Sequence, residues 1–206
     1  MYYRSIIRSK KPVADLRVVS GKFKGYKLTN LSKINNSTEL RPTTDQLRET
    51  LFNILTNGNL GDVVADARVL DLFAGTGALS IEAISRNAHS ATLIDKNRNA
   101  SNIIKKNIAL IGNPANIFYR RLDSTKLPSN PDQPYTLVFL DPPYGKQLCL
   151  QALNSAKLNG WIETSAIIVC EDNSPVAATI GFQLIDMRSF GKTYLTILRH
   201  VDLSKA

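Results

Sequence analysis

From residue 66 onward, short apolar runs alternate with stretches whose apolar residues recur every three or four positions. The runs are ARVLDLFAG, SATLID, NIFYRRLD, YTLVFLDPPY and SAIIVCED. The periodic stretches between them are ALSIEAISRNA, RNASNIIKKNIALIG and QLCLQALNSAKL. Strands alternating with helices of this length predict βαβ units and a mostly parallel, doubly wound α/β sheet. The ending differs. FQLIDMRSF and TYLTILRHV are separated only by Gly191-Lys192, which predicts an antiparallel hairpin at the C-terminal edge and brings the sheet to seven strands. Upstream, RVVSGKFKGYKLTNL reads as two short strands around Gly21 and Gly25, a small basic hairpin. LRPTTDQLRETLFNIL then reads as a helix: Pro42 precedes it, Thr43 and Gln46 form a capping box, and Asn57-Gly58 ends it. Its expected buried stripe is Leu47, Leu51, Ile54 and Leu55.

Composition narrows the class without naming it. Of 206 residues 43% are hydrophobic and 21% charged, which excludes a disordered tail protein. No apolar run approaches the ~20 residues of a bilayer span. The start, MYYRSIIRSKKPVADLR, is basic but lacks the apolar core of a secretory signal, so a cytoplasmic protein is expected. Cys149 and Cys170 sit in apolar segments and read as buried thiols in a reducing compartment. His89 and His200 form no ligand cluster, and no metal site is expected.

Charge changes the picture more. The net charge is +9, and residues 1 to 41 hold ten basic residues against Asp15 and Glu39. That segment carries +8 and the remaining 165 residues only +1. Such asymmetry suggests a polyanion-binding arm on a nearly neutral body; a solvated basic tail is the plainer alternative.

Three strand ends carry candidate chemistry. In Asp71-Leu72-Phe73-Ala74-Gly75-Thr76-Gly77, a strand opens into a helix through two glycines that allow a tight turn and close approach to a ligand. A dinucleotide loop would have a third glycine where Ser80 stands, and an acid at Asp71 opposes a pyrophosphate. It suits a ligand with positive charge and hydroxyl donors, such as S-adenosylmethionine, for which Asp71, Phe73, Ala74, Gly75 and Gly77 are candidate contacts. Asp95 ends the second strand, where a carboxylate accepts from ribose hydroxyls. Asp123 ends the third and is a candidate for an adenine amino group. Asp141-Pro142-Pro143-Tyr144 follows the fourth. Its prolines make the loop rigid, Asp141 and the Pro142 carbonyl offer acceptors for an exocyclic amine, and Tyr144 offers a ring on which a base stacks.

DLFAGTG, LID and DPPY in that order resemble a class I S-adenosylmethionine-dependent methyltransferase acting on an amino nitrogen. RVVSGKFKGYKL, LRPTTDQLRETLFNIL and VLDLFAGTGALSIEAISRNA narrow the resemblance to the RsmD family of 16S rRNA guanine-N2 methyltransferases, from about Arg17 to the C-terminal hairpin. Two positions depart from the family: Ser20 stands where it usually has the first of two glycines, and Phe23 where it often has Trp. The resemblance implies methylation of guanine 966, with partly assembled small subunits as substrate. Residues 1–41 are then expected to form an RNA-contacting arm and 42–206 the methyltransferase domain, acting as a monomer. Arg17, Lys22, Lys24, Lys27, Arg41 and Arg48 are the candidate phosphate contacts, and Arg48 beside Glu49 reads equally well as a surface charge.

Asp141 to Tyr144 serve an adenine N6 amine by the same chemistry, so an adenine methyltransferase on DNA or RNA stays open on the motif alone. An NAD-dependent oxidoreductase is disfavoured by Ser80, Asp71 and the proline loop. A non-catalytic RNA-binding assembly factor with a methyltransferase fold is a third reading, because fold does not establish turnover.

Overall fold

A continuous apolar run suits a strand covered on both faces, and YTLVFL forms the centre of the sheet. In the computed structural model, which describes residues 16–30, 45–143 and 147–202, this run is β4 (Tyr135–Leu140). Leu137 and Phe139 enter one core, and Val138 and Leu140 the other. The remaining strands are β1 (Arg68–Asp71), β2 (Ser90–Ile94), β3 (Ile117–Arg120), β5 (Ile162–Asp172), β6 (Phe182–Phe190) and β7 (Thr193–His200). Their spatial order is β3-β2-β1-β4-β5-β7-β6. The first five strands run parallel, while β7 pairs antiparallel with both β5 and β6. The C-terminal hairpin turns at Gly191-Lys192 as expected, and its second strand lies inside the sheet, leaving β6 at the edge.

Helices α1 (Asp45–Asn57), α2 (Ala78–Ser85) and α3 (Arg98–Leu110) share one core, through Leu51, Phe52, Ile81, Ala100 and Ile104. Helix α4 (Leu148–Leu158) packs Cys149, Ala152, Leu153 and Ala156 into the other core, where Cys170 also lies. Both thiols are buried and unbridged. Among the described residues no helix is long and apolar enough to cross a membrane.

Three local expectations are corrected. The N-terminal hairpin reduces to one bridge, Arg17 with Lys27, around a turn over residues 21–25. The two arms do pair, Val18 N–H donating to the Tyr26 carbonyl, Gly25 N–H to the Val18 carbonyl and Leu28 N–H to the Leu16 carbonyl, while the amides between them pair with α2. Val19 and Ser20 N–H donate to the Glu82 carboxylate at 2.7 and 2.9 Å, Lys22 N–H to the Ser85 carbonyl, and Phe23 N–H to the Ser85 hydroxyl. Gly21 makes this approach possible, since a Cβ there would lie 1.8 Å from the Ser85 carbonyl oxygen. The buried face of α1 is Arg48, Leu51, Phe52 and Leu55, so Arg48 and Phe52 replace Leu47 and Ile54. Phe52 meets the Phe139 ring at 5.9 Å, and polar partners sheathe Arg48. Finally, β5 starts three residues early, at Ile162, and its register against β4 shifts between Tyr135 and Leu137. The proposed capping box falls partly outside the described residues.

Candidate active site

In a parallel sheet all the strands end on one side, and here those ends carry acids. Read across β3-β2-β1-β4, the row is Asp123, Asp95, Asp71 and Asp141. The register sets Asp95 and Asp141 each two residues further along than Asp71, and Asp123 two further than Asp95. The chain leaves β1 for β2 on one side and later returns to β4 on the other, which opens a crevice between β1 and β4. The glycine loop and the Asp141–Pro143 loop stand on opposite sides of this crevice.

Asp71, the last residue of β1, is 1% exposed. Its Oδ2 accepts from the Ser80 hydroxyl at 2.9 Å, while Oδ1 is buried with no hydrogen-bond partner. Burial pushes this carboxyl up to about 7; the Ser80 hydroxyl and the nearby backbone N–H groups of Phe73 and Ser80 work against the shift, and the Asp95 charge adds to it. A sealed carboxylate with one unsatisfied oxygen fits a cationic donor. Beyond it the backbone turns sharply: Ala74 N–H reaches the Ile94 carbonyl, and Gly77 N–H returns to the Ala74 carbonyl. Gly77 has φ +79° and presses on Leu93, which a Cβ would meet at 2.9 Å. Gly75 (φ +54°) serves differently. A Cβ there would meet only the Phe73 carbonyl, at 3.8 Å, so glycine keeps the crevice clear. A buried anion, an open glycine and a ribose-type acid on the next strand together fit the donor set of S-adenosylmethionine.

Asp95 binds the loops together. Its Oδ2 accepts from Gly75 N–H at 3.0 Å and its Oδ1 from Asn97 N–H at 2.8 Å, leaving lone pairs on a partly exposed carboxylate. Asp123 Oδ1 accepts from the Thr125 N–H and hydroxyl, and its Oδ2 from Lys96 Nζ at 3.0 Å. Although partial burial opposes the shift, those hydrogen bonds and the Lys96 charge hold its carboxyl below the usual range. Asp123 therefore already caps a single helical turn, Ser124–Lys126. Within that turn the Ser124 hydroxyl donates to the Leu72 carbonyl, tying it to the end of β1.

Asp141 leaves β4 two residues beyond Phe139, the register partner of Asp71. It is half-buried, Pro142 buried and Pro143 exposed. Tyr144 and Arg41 lie outside the described residues.

The basic candidates divide. Lys22 and Lys24 are exposed on the turn and Lys27 just beyond it, beside half-exposed Tyr26, and the Arg17 side chain is 62% exposed while paired with Asp45. Arg48 corrects its expectation. It is 1% exposed, Nη2 donates to the Arg17 carbonyl at 2.6 Å and to Asp45 at 2.7 Å, and Nε stands 4.0 Å from Glu82. An enclosed guanidinium cannot grip a phosphate. Arg48 instead joins α1, α2 and the basic segment.

Sequence reasoning missed the residues that hold these parts in place: Ser80 under Asp71, Glu82 and Ser85 under the basic turn, and Asn107 on α3. One signal was available for two of them. Glu82 interrupts the apolar face of ALSIEAIS, and Asn107 continues the spacing of Ala100, Ile103 and Ile104. Polar residues at core positions require partners.

Comparison with known proteins agrees with this geometry. A family model described as "Conserved hypothetical protein 95" matches residues 16–199. Ribosomal RNA small subunit methyltransferase D of Escherichia coli K12 is 38% identical over 76% of this chain and 74% of its own length. The Haemophilus influenzae protein of that name is 35% identical over 90% and 94%. A solved candidate methyltransferase from Escherichia coli superposes with TM-score 0.75 at 31% identity, covering 91% of this chain and 99% of that one. A candidate methylase from Haemophilus influenzae gives 0.72 at 27%, covering 92% and 100%. The fold is that of class I methyltransferases, and the chain belongs to the ribosomal RNA small subunit methyltransferase D family.

Proposed function

We propose that the protein transfers a methyl group from S-adenosylmethionine to the exocyclic N2 of a guanine in 16S rRNA, on assembled small subunits in the cytoplasm. Family resemblance points to guanine 966. The observation that carries the reading is the pairing across one crevice of a sealed carboxylate, Asp71, with a rigid acceptor loop, Asp141-Pro142-Pro143.

When bound, S-adenosylmethionine supplies an electrophilic methyl group on a sulfonium. Asp71 would hold the cofactor's ammonium, Asp95 its ribose hydroxyls, and Asp123 would offer its remaining lone pairs to the adenine amino group. Phe73, Ala74, Gly75 and Gly77 shape the wall of that site. Asp141 and the Pro142 carbonyl accept the two N–H bonds of the target amine, and Tyr144 stacks on the base. Guanine N2 is a weak nucleophile because its lone pair delocalises into the ring. Holding it ready for the methyl, whose bond to sulfur would break to release S-adenosylhomocysteine, is therefore the main contribution, with the Asp141 charge favouring the positive nitrogen that develops. The proton leaves that nitrogen easily, to Asp141 or water, so no strong base is needed. The base must be splayed from its neighbours to enter the crevice, which favours a loop. Arg17, Lys22, Lys24 and Lys27 hold phosphates without reading sequence, and the protein acts as a monomer.

The test is transfer from labelled S-adenosylmethionine to small subunits lacking the modification, with free 16S rRNA and DNA in parallel and products identified as nucleosides by mass spectrometry. N2-methylguanosine from the subunits is the expected product. N6-methyladenosine would overturn the choice of base, and no transfer despite cofactor binding would put the binding-factor reading in its place.

A further inference from the structure

Asn107 is 0% exposed in the middle of α3, at a position the helix otherwise gives to Ala100, Ile103 and Ile104. Its amide joins two segments far apart in the chain. Oδ1 accepts from Thr29 N–H at 2.7 Å, and Nδ2 donates to the Thr29 carbonyl at 3.1 Å and the Thr76 carbonyl at 2.8 Å. Thr29 stands two residues beyond Lys27, the last lysine of the basic turn. Thr76 lies between Gly75 and Gly77 in the glycine loop. One side chain thus satisfies an N–H of the basic segment together with carbonyls of that segment and of the loop. Only a primary amide of this length supplies an acceptor and two donors here: Asp would set a carboxylate against both carbonyls, and Leu would leave three backbone groups unpaired.

We infer that Asn107 is a positioning residue that couples the two binding regions, so that RNA on the basic segment and cofactor in the glycine loop strengthen each other's binding. The inference rests on the proposed function, which makes these regions the RNA and cofactor sites. A cofactor that stiffens the glycine loop acts on the Thr76 carbonyl, and through the Asn107 amide on the backbone at Thr29. The path also runs in reverse, as linkage requires. The contacts of Glu82 and Ser85 hold the turn against the body of α2, whereas Asn107 reaches the loop itself.

A thermodynamic cycle on the full chain tests this. The affinity of S-adenosylhomocysteine, which has no methyl to give, is measured alone and with saturating unmodified small subunits, for wild type and Asn107→Ala. The expected result is at least about fivefold tighter binding with RNA in wild type, and less than about twofold in the variant. A purely structural role would weaken both affinities and leave their ratio intact, and that outcome, or an uncoupled wild type, overturns the inference. Wild type alone gives a second reading that does not depend on the variant's folding. S-adenosylhomocysteine added without RNA should slow hydrogen exchange at the Thr29 amide several-fold, and no change there is a contradiction. If wild-type protein binds S-adenosylhomocysteine but methylates no subunit RNA, the proposed function fails separately, and the amide exchange still decides the coupling.

Discussion

Asp71 and Asp141 leave adjacent strands on the same side of the sheet, yet their surroundings are opposite. Asp71 is sealed, gripped by Ser80 through one oxygen and left without a partner at the other. Asp141 is half-buried at the head of a proline loop in which Pro142 is buried and Pro143 exposed. Two carboxylates of one residue type are thereby separated by burial. The sealed one is costly to ionise and suits a resident cation; the accessible one can meet a base that comes and goes. The basic residues repeat the lesson, with Arg48 enclosed as a tie between elements and Lys22 exposed.

The largest effect is expected at Asp141. Replacing it with alanine should lower methyl transfer at saturating substrates by about 10²–10³-fold, the usual loss for a group aimed at developing charge; single-turnover transfer measures it. A loss below tenfold would break the assignment. Next comes the contrast among cations. Arg48→Ala leaves Glu82 with less compensation in the core and should cost about 3–5 kcal/mol in denaturant unfolding, whereas Lys22→Ala should leave stability within ~0.5 kcal/mol. Lys22→Ala should instead reduce the salt dependence of RNA binding by about one ion. An Arg48→Ala protein of wild-type stability would erase the distinction.

The last effect concerns pH. The carboxyl of folded Asp71 titrates at about 7 rather than 3.8, so the native state holds a proton that the unfolded chain releases. Unliganded protein should therefore lose stability as pH rises across that interval, by about 4 kcal/mol in all. Asp71→Asn should abolish the loss and be the more stable protein at pH 8. A cationic ligand favours the ionised carboxylate, so cofactor affinity should rise with pH up to about 7, with proton release visible by calorimetry in buffers of different ionisation heat. An equal slope in Asp71→Asn would assign the proton elsewhere.

The strand ends were legible because each announces itself within a few residues. DLFAGTG and DPP set an acid close to a glycine or proline that fixes the local backbone, LID closes an apolar run on an acid, and a parallel sheet collects those ends on one side. What escaped depends on partners distant in the chain. Arg48 is buried because Asp45, the Arg17 carbonyl and Glu82 surround it, the last 34 residues away. Helical periodicity marked it only as polar, which turned the predicted stripe towards Leu47 and Ile54. The basic hairpin shows the same limit: its two arms were legible and pair with each other, but the anchoring of its Val19, Ser20, Lys22 and Phe23 amides on Glu82 and Ser85, 62 or 63 residues on, was not. Asn107 shows a polar residue on an apolar stripe, but neither Thr29 nor Thr76 can be read as its partner from spacing.

The division between Asp71 and Asp141 is tested most directly by the equilibrium affinity of S-adenosylmethionine for the wild type, Asp71→Ala and Asp141→Ala, measured side by side without RNA. Asp71→Ala should bind at least about tenfold more weakly, the loss of a charged hydrogen bond, and Asp141→Ala should stay within about threefold of wild type. Equal losses in both variants would contradict the account, because the two acids would then serve one ligand.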